Sequence, residues 1–313
     1  MLSSISDNTI KQYNSSFKLW WKFCSQCKIN TFEPEIVNIL TFLAEQFNKG
    51  GSYGTINTHR SALSLLIGGN LGSDDQIKRL MKGIYKKKPS IPKYRGTWDP
   101  QLVLNFISKW FPNRNLPLEK ITKKLCVLLA ICTGHRVQTL SLIKISNINK
   151  CADSLQIPIT EVIKTSAAGR DQPVLILPYF RENPSICPST TLNDYVSVTS
   201  DIRVDNEESL FITYKKPHRK ASSQSLSRWI KQTLAEAGVD VSVFSAHSTR
   251  HASTSAAAST GVSIDVIRKA AGWSSSSQTF ARFYNRPILD EGVFARSVCS
   301  LTINNEHTNN LIC

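Results

Sequence analysis

The sequence predicts a mainly α-helical chain with one small β-sheet, an α+β fold in two parts. Three observations predict it. Apolar residues recur at spacings of three and four through the first 88 residues, only one region (155–177) is rich in β-branched residues, and helical spacing returns after it. At 313 residues, with 41% apolar and 19% charged side chains, the chain is long enough for two packed domains.

In the front part, polar residues Ser6 to Asn8 precede a stripe of Ile10, Tyr13, Phe17, Trp20, Trp21 and Cys24, which reads as one capped amphipathic helix. Pro34 suits the first turn of a second helix, through Phe47, ended by Gly50-Gly51. Thr55 to Ile67 reads as a third, ended by Gly68-Gly69, and Asp74-Asp75 opens a fourth to about Tyr85. Residues 1–88 are therefore expected to form a four-helix domain, followed by a linker at 89–96 whose prolines and glycine stop helices. The cationic side chains Lys86, Lys87, Lys88, Lys93 and Arg95 read as a basic tether that lies along a phosphate backbone, or as a solvated run.

The second domain, 97–313, opens at Asp99-Pro100, a cap followed by proline at a helix start. Helices are expected at Leu102–Trp110 and Leu118–Cys132, then strands at Leu155–Ile163 and Val174–Leu177 around a polar loop, 165–172. Further helices are expected at Leu192–Asp201, Gln224–Ala237, Thr249–Ser259 and Ile264–Ala271.

Charge points to a polyanionic partner. There are 38 Lys+Arg against 23 Asp+Glu, a net +15, and the first 95 residues carry 14 against 6, or +8. The eight cysteines lack a paired spacing and read as reduced intracellular thiols; Cys24 and Cys27 have no second pair to complete a zinc site, so no metal is expected. The longest apolar run, Leu125–Cys132, is far short of the roughly 20 residues of a membrane span.

Three segments carry chemistry: Thr133-Gly134-His135-Arg136 with Thr139 beyond it, Ala246-His247-Ser248-Thr249-Arg250-His251, and Gly272-Trp273 followed by Phe280-Ala281-Arg282-Phe283-Tyr284. In this order they resemble the tyrosine recombinase family of phage-type integrases, over nearly the whole chain. By that resemblance Arg136 is the first catalytic arginine, His247 and Arg250 form the His-x-x-Arg pair, Trp273 takes the His/Trp position and Tyr284 is the nucleophile. Lys164, 28 residues after Arg136, matches the hairpin lysine, with Lys144, Lys150 and Arg170 near enough to compete. The chain departs from the pattern at Thr139, where the family usually has an acid, and in the spacing of 11 positions from Trp273 to Tyr284, about two more than the family's commonest spacing. His251 is expected behind the site, and His135 has no assigned role.

These residue types suit attack on a phosphodiester. Two guanidiniums offer fixed donors to the non-bridging oxygens as charge builds. A phenol is mostly protonated at neutral pH, so the nucleophile needs a neighbouring base, for which His247 is the candidate. The departing 5′-oxygen needs a proton, for which Lys164 is the candidate. Trp273 would offer its indole N–H to a phosphate oxygen. No glycine-rich phosphate loop and no carboxylate set for two metals is present in the sequence, so no cofactor is expected.

The resemblance implies a helical SAM-like core-binding domain ahead of a catalytic domain, double-stranded DNA as partner, a 3′-phosphotyrosyl intermediate, and a homotetramer on two DNA sites. Residues 287–313, with Ile288, Leu289, Val293 and Phe294, would dock on a neighbouring subunit or fray. The Trp at 273 and the segment 92–100 resemble recombinases of eukaryotic mobile elements such as Cryptons and DIRS-like elements. That implies a nuclear setting, with 215–220 as an import signal or a solvated loop; otherwise the expected setting is cytoplasmic. Two other readings share these residues: a type IB topoisomerase, and a domesticated DNA-binding protein that no longer cuts.

Overall fold

The computed structural model describes residues 5, 7–68, 71–89, 94, 96–203, 207–274, 278, 284 and 285. The chain divides into two compact units, Met1–Lys93 and Tyr94–Cys313.

The first unit is four helices: α1 (Asp7–Cys27), α2 (Ile36–Asn48), α3 (Tyr53–Ile67) and α4 (Asp75–Lys87). The starts of α3 and α4 follow from side chains that take up otherwise orphaned amides. Ser52 accepts from the Thr55 amide, and Asp74 from those of Gln76 and Ile77. Trp20, Phe23, Ile39, Phe42, Leu43, Ile56, Leu63 and Ile77 fill the centre. Trp20 meets Phe42 edge-on at 5.2 Å and donates its indole N–H to the Thr31 carbonyl at 3.1 Å. Trp21, expected on the same stripe, is 60% exposed, because only one of two adjacent residues can face the core of a helix.

Several expected boundaries shift. Ser6 and Gly69 lie outside the described residues, and α2 starts two residues beyond Pro34. Lys86 and Lys87 belong to the last turn of α4 rather than to the tether, and Lys88 is its cap, with Nζ donating to the Gly50 carbonyl at 3.0 Å. Lys93 and Arg95 lie outside the described residues.

The second unit is built on α6 (Leu118–Thr133), whose residues from Ile121 to Ile131 are all buried. Before it, Asp99 caps α5 (Pro100–Ser108). After it come the single turn α7 (Val137–Leu140), the strands β1 (Asn149–Lys150), β2 (Ser154–Pro158) and β3 (Val174–Pro178), then α8 (Pro188–Thr199), α9 (Ser223–Glu236), α10 (Ser248–Ser259) and α11 (Ile264–Ala270). The sheet is antiparallel in the order β1-β2-β3, with Leu155 opposite Leu177 and Ile157 opposite Leu175, so these four share the buried face. The expected first strand is shorter than 155–163, and β1 had no counterpart in the sequence reading. Two lysines of α6 are buried in company: Lys123 pairs with Glu119 at 2.8 Å and Glu236 at 3.5 Å, and Lys124 donates to the Trp110 carbonyl and to Asn113 Oδ1. Among the described residues no helix is long and apolar enough to cross a membrane.

Candidate active site

The site grows from two helix ends. Helix α6 stops at Gly134, which takes a left-handed φ of +58° that glycine adopts without a side-chain penalty. That turn does two things. It aims the Gly134 carbonyl at Arg250, whose Nη1 donates to it at 2.6 Å, and it places Arg136 two residues later at the N-cap of α7.

Helix α10 supplies the other half. Its start is pinned by two aromatic residues: Trp98 donates to Ser248 Oγ at 2.8 Å, and the Tyr94 hydroxyl lies 2.9 Å from Ser245 Oγ. His247, Arg250, His251, Thr254 and Ser255 then share one face of the helix through their spacing. Arg250 is 1% exposed, with its guanidinium 4.1 Å from the centre of the Trp273 ring and 5.4 Å from that of Tyr284. Among the described residues its Nε and Nη2 are buried without a hydrogen-bond acceptor, and neither Arg250 nor Arg136 pairs with a carboxylate. Burial, and then the neighbouring charge of Arg136, push the Arg250 guanidinium down to about 10, with Tyr284 acting in the opposite direction.

Tyr284 is held at both ends. Its carbonyl accepts from Ser255 Oγ at 2.6 Å, and its hydroxyl lies 2.9 Å from His247 Nε2. Between them the ring stacks on His251 at 4.1 Å and 18° and leans on Trp273 at 4.8 Å. His247 itself is exposed, on an open groove of about 560 Å³ lined by Arg228, Lys231 and Gln232 of α9.

The structure thus brings together five of the six residues singled out: Arg136, His247, Arg250, Trp273 and Tyr284. Lys164 is not among them. It is exposed in the β2–β3 loop, and among the described residues it makes no hydrogen bond or ion pair with the other five. The same loop does reach the site through Arg170, whose Nη2 lies 3.4 Å from the Gly272 carbonyl. Of the competing cations, Lys144 is taken up by Glu161 at 2.6 Å, and Lys150 lies exposed in β1. Thr139, where an acid was looked for, is buried in α7. Residues 280–283 and 287–313 lie outside the described residues.

Sequence reasoning missed Tyr94, Trp98, Ser255, Arg228 and Lys231. Tyr94 sits in the stretch read as an exposed tether, yet it is buried, stacked on Phe244 and edge-on to His251 at 5.2 Å. An aromatic among linker prolines and lysines was the available signal.

A family model described as the phage integrase family matches residues 111–288. Tyrosine recombinase XerA of Pyrococcus furiosus is 26% identical over 279 residues, covering 89% of this chain and 84% of that protein. In fold, the chain is similar to the XerH site-specific recombinase bound to palindromic difH substrate in a post-cleavage complex, with a TM-score of 0.62 at 16% identity over 88% of this chain and 75% of that one. It is also similar to the lambda integrase tetramer bound to a Holliday junction, with a TM-score of 0.51 at 16% identity over 88% of this chain and 74% of that one.

Proposed function

The chain belongs to the phage integrase family of tyrosine recombinases, and from that premise we propose that it cuts and rejoins double-stranded DNA at specific sites through a covalent 3′-phosphotyrosyl link to Tyr284. The observation that carries the reading is the 2.9 Å approach of His247 Nε2 to the Tyr284 hydroxyl, beside a buried guanidinium with two donors unspent among the described residues.

In this reading the scissile phosphate sits against Arg250 and Arg136. Its non-bridging oxygens take up Nε and Nη2 of Arg250, which offsets the cost of burying that charge alone. His247 accepts the phenolic proton as the Tyr284 oxygen bonds to phosphorus. The bond to the 5′-oxygen breaks, and Lys164, carried in on the β2–β3 loop, protonates the departing alkoxide. The phosphotyrosyl ester keeps the energy of the bond it replaces, so a 5′-hydroxyl of a partner strand reverses the step with no nucleotide and no metal consumed. The cationic groove of Arg228 and Lys231 beside His247 gives the duplex backbone a path to the site. The fold shared with the lambda integrase tetramer supports four subunits acting on two DNA sites.

The test uses duplexes selected from a random-sequence pool by binding to the Tyr284→Phe protein, then nicked to trap the intermediate. The parent chain should give a covalent protein–DNA band, and Tyr284→Phe should abolish it while keeping salt-sensitive binding. Joining of two separate duplexes distinguishes recombination from topoisomerase action. A band that survives Tyr284→Phe, or that a chelator removes, overturns the mechanism.

A further inference from the structure

His135 directly precedes Arg136 and feels the charge of both arginines, yet it takes no part in the mechanism above. Its position follows from the end of α11. There the Trp273 amide donates to the Arg268 carbonyl at 2.8 Å and the Gly272 amide to the Lys269 carbonyl at 3.1 Å, with Gly272 at a φ of +66°. This double bond pattern closes a helix on a left-handed residue and fixes where Trp273 emerges. It leaves the carbonyl of Ala270 without an amide of its own helix. The His135 ring, 5% exposed, faces the Ala270 backbone, whose polar interaction favours the ring's protonated form. The same ring sets its Cε1 edge against Gly272: a Cβ added there would stand 2.8 Å from His135 Cε1.

We propose that His135 is a positioning residue that ties the turn bearing Arg136 and the Gly134 carbonyl to the helix end bearing Trp273, and so sets the spacing of the two guanidiniums around Tyr284. Its significance for catalysis rests on the function proposed above. A leucine would fill the volume but offer the Ala270 backbone no polar partner, and a lysine or arginine would add a third charge beside Arg136 and Arg250. The charged groups acting on the ring are these two arginines, while nearby Arg170 donates to the Gly272 carbonyl at 3.4 Å and Arg268 on α11 is directed to Asp265 at 3.1 Å. Burial first, then Arg250 and Arg136, hold the imidazole down to about 4, so it stays uncharged at neutral pH.

The experiment compares His135→Leu with His135→Gln, which keeps an N–H donor of similar reach. Single-turnover formation of the covalent complex should fall about tenfold or more in His135→Leu, the dissociation constant for the same duplex should change by less than about threefold, and His135→Gln should recover most of the rate. A role in folding alone would lower the melting temperature without splitting rate from affinity. A second readout needs no cleavage: the rise in melting temperature with inorganic sulfate, which reports the guanidinium pair, should shrink in His135→Leu and persist in His135→Gln. If the parent makes no covalent complex but this sulfate pattern holds, the positioning role stands and the proposed function falls. Equal rates and equal sulfate responses in all three proteins, or a His135→Gln no better than His135→Leu, overturn the inference.

Discussion

Arg250→Met separates what the guanidinium does for the fold from what it does for chemistry. Held at about 10 against an ordinary 12.5, the buried cation is disfavoured on the order of 3 kcal/mol, which methionine removes. Methionine also forfeits the bond from Nη1 to the Gly134 carbonyl, worth about 1.5–3 kcal/mol, and the stacking on Trp273, about 1–2 kcal/mol. Gain and loss cancel within a kcal/mol or two, so the melting temperature should stay within about 5 °C of the parent. Catalysis has no such compensation. Loss of a single preorganised donor typically costs about 10²–10³ in rate, and methionine removes both Nε and Nη2, so covalent-complex formation on a nicked duplex should drop by about 10³ or more. Thermal unfolding and a single-turnover gel assay on one preparation suffice. A variant that cleaves within tenfold of the parent would refute the assignment, and a melting temperature lowered by much more than about 10 °C would refute the energetic reasoning.

Lys164→Ala should slow cleavage of an ordinary duplex by about 10²-fold yet act almost normally on one whose 5′-bridging oxygen is sulfur, since a thiolate leaves without a proton; equal slowing on both substrates excludes Lys164 as the acid. For His135 the sign of the pH effect follows from a folded state that refuses a proton the unfolded chain accepts. Its contribution is complete above pH 6.5 and is lost as the pH falls to about 4, on the order of 3 kcal/mol in all, with buried His59 acting in the same direction. His135→Gln should therefore flatten the fall in melting temperature across that window, and an unchanged slope would contradict the burial described. Gly272→Ala should destabilise more than Gly134→Ala. Both glycines have positive φ, but only at Gly272 would the new Cβ collide, 2.8 Å from His135, against 3.6 Å and 3.8 Å from its neighbours at Gly134; equal losses by calorimetry would remove the contact from the argument.

The helices of the first unit were legible because caps and apolar spacing are local: Asp74 and the glycine after Ile67 mark ends that the structure keeps. Trp20 and Trp21 show the limit, since periodicity blurs which of two neighbours faces inward, and burial is decided by α2 and α3. Strand β1 was invisible because two polar residues carry no pattern, and only pairing with β2 makes them a strand. At the site, Arg136, His247, Arg250, Trp273 and Tyr284 were readable as an ordered set of residue types. The bonds of Trp98 to Ser248 and of Tyr94 to Ser245 were not, because they join segments about 150 residues apart that no local rule connects. Lys164 was named from its place in a hairpin loop, and a loop position fixes reach without fixing contact.

The turn after α6 has a consequence for how this site can change. One peptide group, that of Gly134, tethers the Arg250 guanidinium while the residue two places on launches that of Arg136, so the two arginines are linked through a single turn. A substitution in this turn therefore reaches both arginines at once, whereas exposed side chains of α9 such as Arg228 can change without touching it.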